Sequence, residues 1–405
     1  MTNSDTNGIA IALSSLAFSA AAPGCGSDNP ATDTNSSADA SAMTDSGTHV
    51  SLDAGVTSLD AARPSHFDAA VCADQTDAGV PLDLFCTGLY VDGDPTRFAD
   101  GVAPYTPGIT FWSDGAQKQR YFYLPPGTKI DTSNFDYWKF PVGTKAWKEF
   151  RLNGALVETR LFWKNSDSDW AAVTYIWDAH GEHATLNMDR KGIILPNGYE
   201  IPTDRDCLKC HHGGSDRLLG IEAVALSLPT AMGVTLTSLT AAGSLSVPRT
   251  PTTMALPEDS TGKAAAALGY LHVNCGVPCH SARGLGDETK LVLRIRADEL
   301  WPVSSARDAG TQDAGGHDAG AAPPVPATVT TTDIYRATYK QTPTTASVMQ
   351  KFPDAVRITP GSHDKSLVWV LAHTRGNYQM PPLVSHLVDD VGTQKLADWI
   401  DALAP

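Results

Sequence analysis

The chain has 405 residues, 42% of them hydrophobic, and a formal net charge of −15. Residues 1–80 hold ten Asp, one Arg (Arg63) and no Glu or Lys, so nine of those charges sit at the start and the rest of the chain is only mildly acidic. That balance excludes a duplex nucleic-acid binder as the expected function, and the length exceeds one domain of about 150 residues.

The first 25 residues contain a charge-free apolar run at 8–22 that ends in small residues before Cys25. It is too short to span a bilayer comfortably and reads as an export leader. AAPGC resembles a bacterial lipoprotein cleavage box, with Pro23 departing from the usual pattern; the resemblance implies lipidation of Cys25 and a membrane anchor. An ordinary unstructured N-terminus is the alternative. Residues 26–80 are Ser, Thr, Ala, Asp and Gly with few large apolar side chains, and are expected to remain a solvated tether.

Seven cysteines divide into three roles: Cys25 for lipid, Cys72 paired with Cys86, and four for the motifs below. A 72–86 bridge would close a loop of roughly 15 residues and contribute about 3 kcal/mol in the chain-entropy model. Two unrelated free thiols are the alternative. Disulfides belong outside the cytoplasm, so the expected location is the periplasm or an outer-membrane lipoprotein.

Residues 86–200 alternate aromatic and polar side chains between turn signals. RYFYL at 120–124, WKEFRL at 147–152, LVETRLFW at 156–163 and WAAVTYIW at 170–177 read as strands. Asn153-Gly154 between two of them is a hairpin signal, because both turn positions need positive φ. An antiparallel sandwich or barrel-like domain is expected. Six tryptophans fall here (Trp112, Trp138, Trp147, Trp163, Trp170, Trp177); core filling is preferred over a polymer-binding platform. His180 and His183 mark a hairpin tip.

Residues 194–206 form a Pro- and Gly-punctuated connector, followed by Cys207-Leu-Lys-Cys210-His211. This C-x-x-C-H spacing is that of haem attachment, with two thioethers to the cysteines and His211 as proximal iron ligand. Zinc bound by Cys207, Cys210, Cys275 and Cys279 is the competing reading, and a histidine directly after each pair argues for haem. The distal ligand is open among Met232, His212, His272, His180, His183 or none.

The segment 259–280, DSTGKAAAALGYLHVNCGVPCH, predicts a helix with Ser260 or Asp259 as cap and a buried stripe of Ala264, Ala267, Leu268 and Leu271. It delivers Cys275, Cys279 and His280. Residues 290–296 alternate as a strand, and an Asp-Ala-Gly tract at 304–327 reads as a surface insertion. A Pro-Gly turn at 360–361 leads into a helix containing Leu367, Val370 and Leu371. Met380, before two prolines, is the expected thioether ligand opposite His280. Val391, Leu396, Trp399, Ile400 and Leu403 form the apolar face of a closing helix packed on 259–274.

With entry helix, cysteine pair and His280, Pro-Gly turn, Met380 and closing helix with Trp399, residues 259–403 resemble a class I cytochrome c domain. ITPGSHDKSLV, QMPPL and LADWI are similar to cytochrome c-like modules of large exported bacterial proteins. WSDGAQKQR, LPPGTKI, FPVGTKAWKEF and VETRLFW resemble the β-rich portion of an uncharacterised bacterial family carrying such a module. The resemblance implies an α+β multidomain chain: leader 1–25, linker 26–80, β-rich domain 86–200, first haem segment 201–258, and all-α cytochrome-like domain 259–405. It implies haem c, and with the C-x-x-C-H motif two groups are expected, one at minimum; single-electron exchange with a redox partner protein is the favoured function over catalysis. Cys275 and Cys279 stand three residues apart instead of two; a haem-free module with a Cys275–Cys279 disulfide is the alternative there. A peroxidase-like enzyme with an open first iron, and a surface binding protein with an auxiliary haem module, are the alternative functions.

Overall fold

A computed structural model describes Cys72 and residues 79–188, 192–211, 216, 218–282, 284–301 and 325–405. The leader, Cys25, nearly all of the tether, His212 and the 304–324 part of the insertion lie outside the described residues.

The architecture is α+β. A ribbon of β1 (Tyr90–Val91) and β2 (Asp94–Phe98) precedes β3 (Val102–Thr106), β4 (Gln117–Tyr123), β5 (Lys145–Leu152), β6 (Ala155–Lys164), β7 (Trp170–Trp177) and β8 (Ala184–Leu186). A second ribbon pairs β9 (Ile193–Ile194) with β10 (Glu200–Ile201). Then follow α1 (Asp204–Cys210), α2 (Ala223–Ser227), β11 (Met232–Gly233) and α3 (Leu236–Ala241). The C-terminal part contains α4 (Ala264–Leu271), α5 (Ala297–Leu300), α6 (Asp333–Thr338), α7 (Ala346–Lys351), α8 (Leu367–Ala372) and α9 (Asp390–Ala402).

Seven strands make one antiparallel sheet in the order β11-β3-β4-β5-β6-β7-β8. The expected sandwich or barrel is therefore corrected to a single open sheet with other chain segments on its faces. The β5–β6 turn has Asn153 at φ 50° and Gly154 at φ 86°, the left-handed pair that a tight hairpin requires. One face carries Tyr121, Trp147, Leu161, Tyr175 and Trp177, and is covered by Val80, Leu84, Phe85 and Leu89. The cover is hydrogen-bonded down: Trp147 Nε1 donates to Thr87 Oγ1 (3.1 Å) and the Tyr175 hydroxyl to the Pro81 carbonyl (2.8 Å). A Cys72–Cys86 disulfide, Cα–Cα 5.3 Å, ends in this cover.

The opposite face carries Phe122, Ala146, Phe162, Trp170 and Ala172, which share one continuous core with α2, α3, α4 and α9. Ala264, Ala267, Leu268 and Leu271 of α4 are fully buried against Leu396, Trp399 and Ile400 of α9. Val391 is 72% exposed, a correction to the predicted stripe; the crossing starts at Gly392, where any Cβ would collide with the Tyr270 ring. Neither Ser260 nor Asp259 caps α4. The Glu258 carboxylate takes the Ala264 N–H (2.8 Å), while Asp259 accepts from Trp399 Nε1 (3.1 Å) and so ties the two helices. The ends of the insertion are drawn together by Glu299, whose backbone carbonyl accepts the Ala327 N–H (2.7 Å) and whose carboxylate accepts that of Asp333 (2.6 Å).

Two substitutions test this packing. Asp216, buried, accepts from Lys164 Nζ (2.7 Å), Trp170 Nε1 (2.9 Å) and the Phe140 N–H (2.5 Å). Asp216→Ala strands a buried ammonium and is expected to cost about 3–5 kcal/mol in denaturant unfolding, much of it recovered by adding Lys164→Met. Gly392→Ala overpacks the α4–α9 crossing, with an expected loss of about 1–3 kcal/mol in the same measurement.

Candidate functional site

The first cysteine pair stands on α1, whose start is legible in Thr203-x-x-Asp206. The Thr203 hydroxyl accepts the Asp206 N–H (3.2 Å) and the Asp206 carboxylate accepts in return from Thr203, closing a capping box. Cys207 and Cys210, three residues apart on a helix, face the same way. The connector expected before Cys207 is thus a connector only as far as Thr203. His211 follows at the helix end, its ring stacked on Phe162 of the sheet at 4.2 Å and 23°.

The second pair follows α4 through a π-helical turn, His272–Gly276, in which the Val277 N–H donates to the His272 carbonyl. The His280 N–H likewise reaches back five residues to the Cys275 carbonyl (2.8 Å). This wider turn accommodates the extra residue between Cys275 and Cys279, the usual way a helix absorbs a one-residue insertion. Gly276 packs its α-carbon against the Leu293 and Arg294 backbone, where a Cβ would collide.

His280 is buried. Its Nδ1 faces Thr289 Oγ1 (3.3 Å), and Gly286 lies so close that a Cβ there would sit 2.7 Å from the same nitrogen. Thr289 and Gly286 therefore fix the ring on its Nδ1 side. Burial first, with Arg357 adding to it, pushes the His280 pKa down to about 4, so the ring is neutral at pH 7, the form that binds metals.

Residues 290–296 pair with no strand, a correction to the expected one. Their N–H groups serve the site instead: Leu293 donates to the His280 carbonyl (2.9 Å) and Ile295 to His272 Nδ1 (3.0 Å). The other His272 nitrogen meets Glu222 Oε1 at 3.4 Å, so both ring nitrogens are engaged and His272 is not an available iron ligand. Met232, on edge strand β11, is 62% exposed, and neither it, His180 nor His183 lines the cavities described next.

Two cavities meet at this place. One of about 110 Å³ has apolar walls, including Leu271, Leu293, Val368 and Leu371, and is lined by Cys275, Cys279, His280 and Met380. The other, about 350 Å³, lies between the sheet and both motifs, and Cys207, Cys210, His211, Cys279, His280 and Met380 all reach it. That volume falls within the range of about 300–1,000 Å³ typical of small-molecule sites. The Met380 N–H is held by the Leu371 carbonyl (2.8 Å).

The two motifs meet. Cys210 and Cys279 stand on the wall of the larger cavity; the nearness of Cys279 holds the Cys210 pKa below the usual thiol value, helped by Arg160 and Lys148, and that of Cys279 is raised in turn. Burial pushes Cys207 up to about 11 and Cys275 up to about 12, so both are thiols at neutral pH. Among the described residues no group of three or more His, Cys, Asp and Glu side chains is arranged to hold a metal ion, so the four sulfurs of the zinc reading do not form one coordination shell.

The loop before β4 binds these pieces together. The Trp112 N–H donates to Asn274 Oδ1 (2.7 Å), and Asn274 Nδ2 donates to the Thr110 carbonyl (3.1 Å). Asp114 Oδ1 accepts the N–H groups of His386 (2.8 Å) and Leu387 (2.7 Å), fixing the segment after Met380. Sequence reading missed these contacts, and also four cations on the cavity wall: Lys118, Arg120, Lys148 and Arg160. Their signal was parity, since Lys118 and Arg120 share the face of core residue Phe122.

Comparison with protein-family models, with curated proteins and with solved structures finds no match. The donor set itself fits haem c: two cysteine pairs each followed by histidine, a neutral imidazole at His280, and a thioether at Met380 on the same void. Gly286→Ala should displace the His280 ring and lower stability by about 1–3 kcal/mol in a urea melt of the full chain.

Proposed function

We propose that the chain is an exported dihaem c-type cytochrome that passes single electrons to or from a redox partner protein. One observation carries the reading: Cys275, Cys279, His280 and Met380, spread over a hundred residues of chain, line one apolar void, and the Cys207-Cys210-His211 motif lies on the wall of the adjoining cavity. Cys207 and Cys210 would hold one haem and Cys275 and Cys279 the other. His211 would hold the iron of the first group, and His280 with Met380 that of the second.

When bound, the groups supply one-electron redox chemistry. The chain's own residues exclude water with Leu271, Leu293, Val368 and Leu371, and Thr289 with Gly286 orients the His280 ring. A His/Met pair raises the reduction potential relative to other axial sets, so the second site is the high-potential end. With its leader and a lipidated Cys25 the protein would work in the periplasm or anchored to the outer membrane.

A second reading has one observation in its favour. Among the described residues Met232, His180 and His183 do not line the cavity and both His272 nitrogens are engaged, which favours an open first iron and a peroxidase-like role on a small oxidant; His212 lies outside the described residues. Tryptophans lining an exposed groove, which a polymer-binding role would use, are not favoured: Trp138, Trp147, Trp170 and Trp177 are buried.

Intact mass and a pyridine haemochrome spectrum on periplasm-matured protein should give two covalent haems. None would sink the assignment. In that protein Met380→Ala should remove the methionine-to-iron charge-transfer band and lower the potential of one haem only. The spin state of the other haem decides between the two readings, six-coordinate low-spin iron supporting the carrier.

A further inference from the structure

The sheet wall of the larger cavity carries an excess of buried positive charge. In the register of β4, β5 and β6, Arg120 stands opposite Lys148 and Lys148 opposite Arg160, a cross-strand row of three cations on neighbouring strands. Lys118 lies one row away, opposite Phe150. Like charges placed directly opposite each other are destabilising unless something answers them.

Arg160 is answered. Its Nε and Nη2 bind the two oxygens of the buried Glu158 carboxylate at 2.8 and 2.5 Å, and Glu158 also accepts from the Tyr199 hydroxyl (2.6 Å). Burial works against the Arg160 charge, but Glu158 outweighs it and holds the pKa above the ordinary arginine value. Lys118 has the Trp112 carbonyl at 3.0 Å. Arg120, only 9% exposed, has the Phe111 ring at 5.5 Å. Among the described residues neither Arg120 nor Lys148 forms a side-chain hydrogen bond or an ion pair, yet both line the cavity.

Other carboxylates on the cavity wall are committed elsewhere. Asp206 binds Lys209 (2.9 Å), Glu200 binds His386 (2.8 Å), Asp114 holds two backbone N–H groups, and Glu288 is exposed at the rim. Burial, then Arg120 and Arg160, pushes the Lys148 pKa down to about 7, while Cys207 and Cys210 pull it the other way. A buried cation without a counter-charge costs several kcal/mol, which an anion in the cavity removes.

We infer that Arg120 and Lys148 form an anion site in the larger cavity, taking a carboxylate or a small oxyanion beside the Cys207-Cys210-His211 motif. The anion has two sources, the propionate groups of a haem held there or a free small oxyanion. The site itself is read from the cation row; only the choice of source rests on the proposed function.

The test is calorimetric titration of sodium sulfate, at constant ionic strength against chloride, into the full chain in two forms. One form is periplasm-matured and haem-loaded; the other is made without haem-ligation machinery. Sulfate is expected to bind at least one form, with Lys148→Met and Arg120→Gln each weakening it tenfold or more and Lys148→Arg retaining it. Binding to both forms identifies a free oxyanion as the ligand. Binding to the haem-free form alone, lost on loading, identifies the propionates. The inference is overturned if sulfate binds neither form, or binds wild type and both charge-removing variants equally while their circular dichroism and melting match. If mass spectrometry finds no covalent haem, the haem-free titration still decides the anion site, so the two failures are separable.

Discussion

The meeting of Cys210 and Cys279 at one cavity depends on a shared wall. The first motif is held to the sheet by His211 on Phe162 and, a few residues on, by Asp216 buried against Lys164 and Trp170. The second is held through Asn274, which clasps the loop at Thr110 and Trp112 immediately before β4. The β-rich part is thus the scaffold on which the cysteine segments are set, and one continuous core runs from its strands into α4 and α9.

Close approach of backbone to backbone shapes the second motif. Gly276 against Leu293 and Gly286 against the His280 imidazole leave no space for a side chain, and the π-turn at 272–276 closes the helix at Cys275, with Cys279 in the turn that follows. The chain on the far side of the motif does not join a sheet because its N–H groups have partners already, the His280 carbonyl and the His272 ring. Pairing with a strand would have surrendered the contacts that fix both histidines.

Polar groups on the sheet separate by face. On the covered face the buried Glu149 takes the hydroxyls of Tyr90 and Tyr121, so its burial is answered within the protein. On the cavity face Glu158 answers Arg160 alone, and the charge of Arg120 and Lys148 is left facing the cavity. The desolvation cost of this arrangement is carried by a large apolar core, in which Trp147, Trp399 and Leu268 are fully buried.

Features that depend on local chemistry and periodicity were legible in the chain. Asn153-Gly154 dictates a tight hairpin, the alternating aromatic runs make strands, and the α4 stripe and the Leu396, Trp399 and Ile400 face are buried as their spacing requires. The α1 cap was equally readable in Thr203 and Asp206. Val391 was not, because a stripe has no end mark and only the crossing at Gly392 decides where contact begins.

The cation row belongs wholly to tertiary structure. An ideal two-residue turn at 153–154 would pair Lys148 with Thr159 and send Arg160 to the other face. A bulge between Phe150 and Arg151 shifts the register by one and sets Arg160 beside Lys148, opposite Arg120 in turn. Sequence by itself determined strands β4 to β7, helices α4 and α9 and the two cysteine-histidine motifs, since these follow from neighbours in the chain. Their meeting in one cavity, and the charge that lines it, were decided by strand register and by packing between distant segments, for which no local pattern is a sufficient sign.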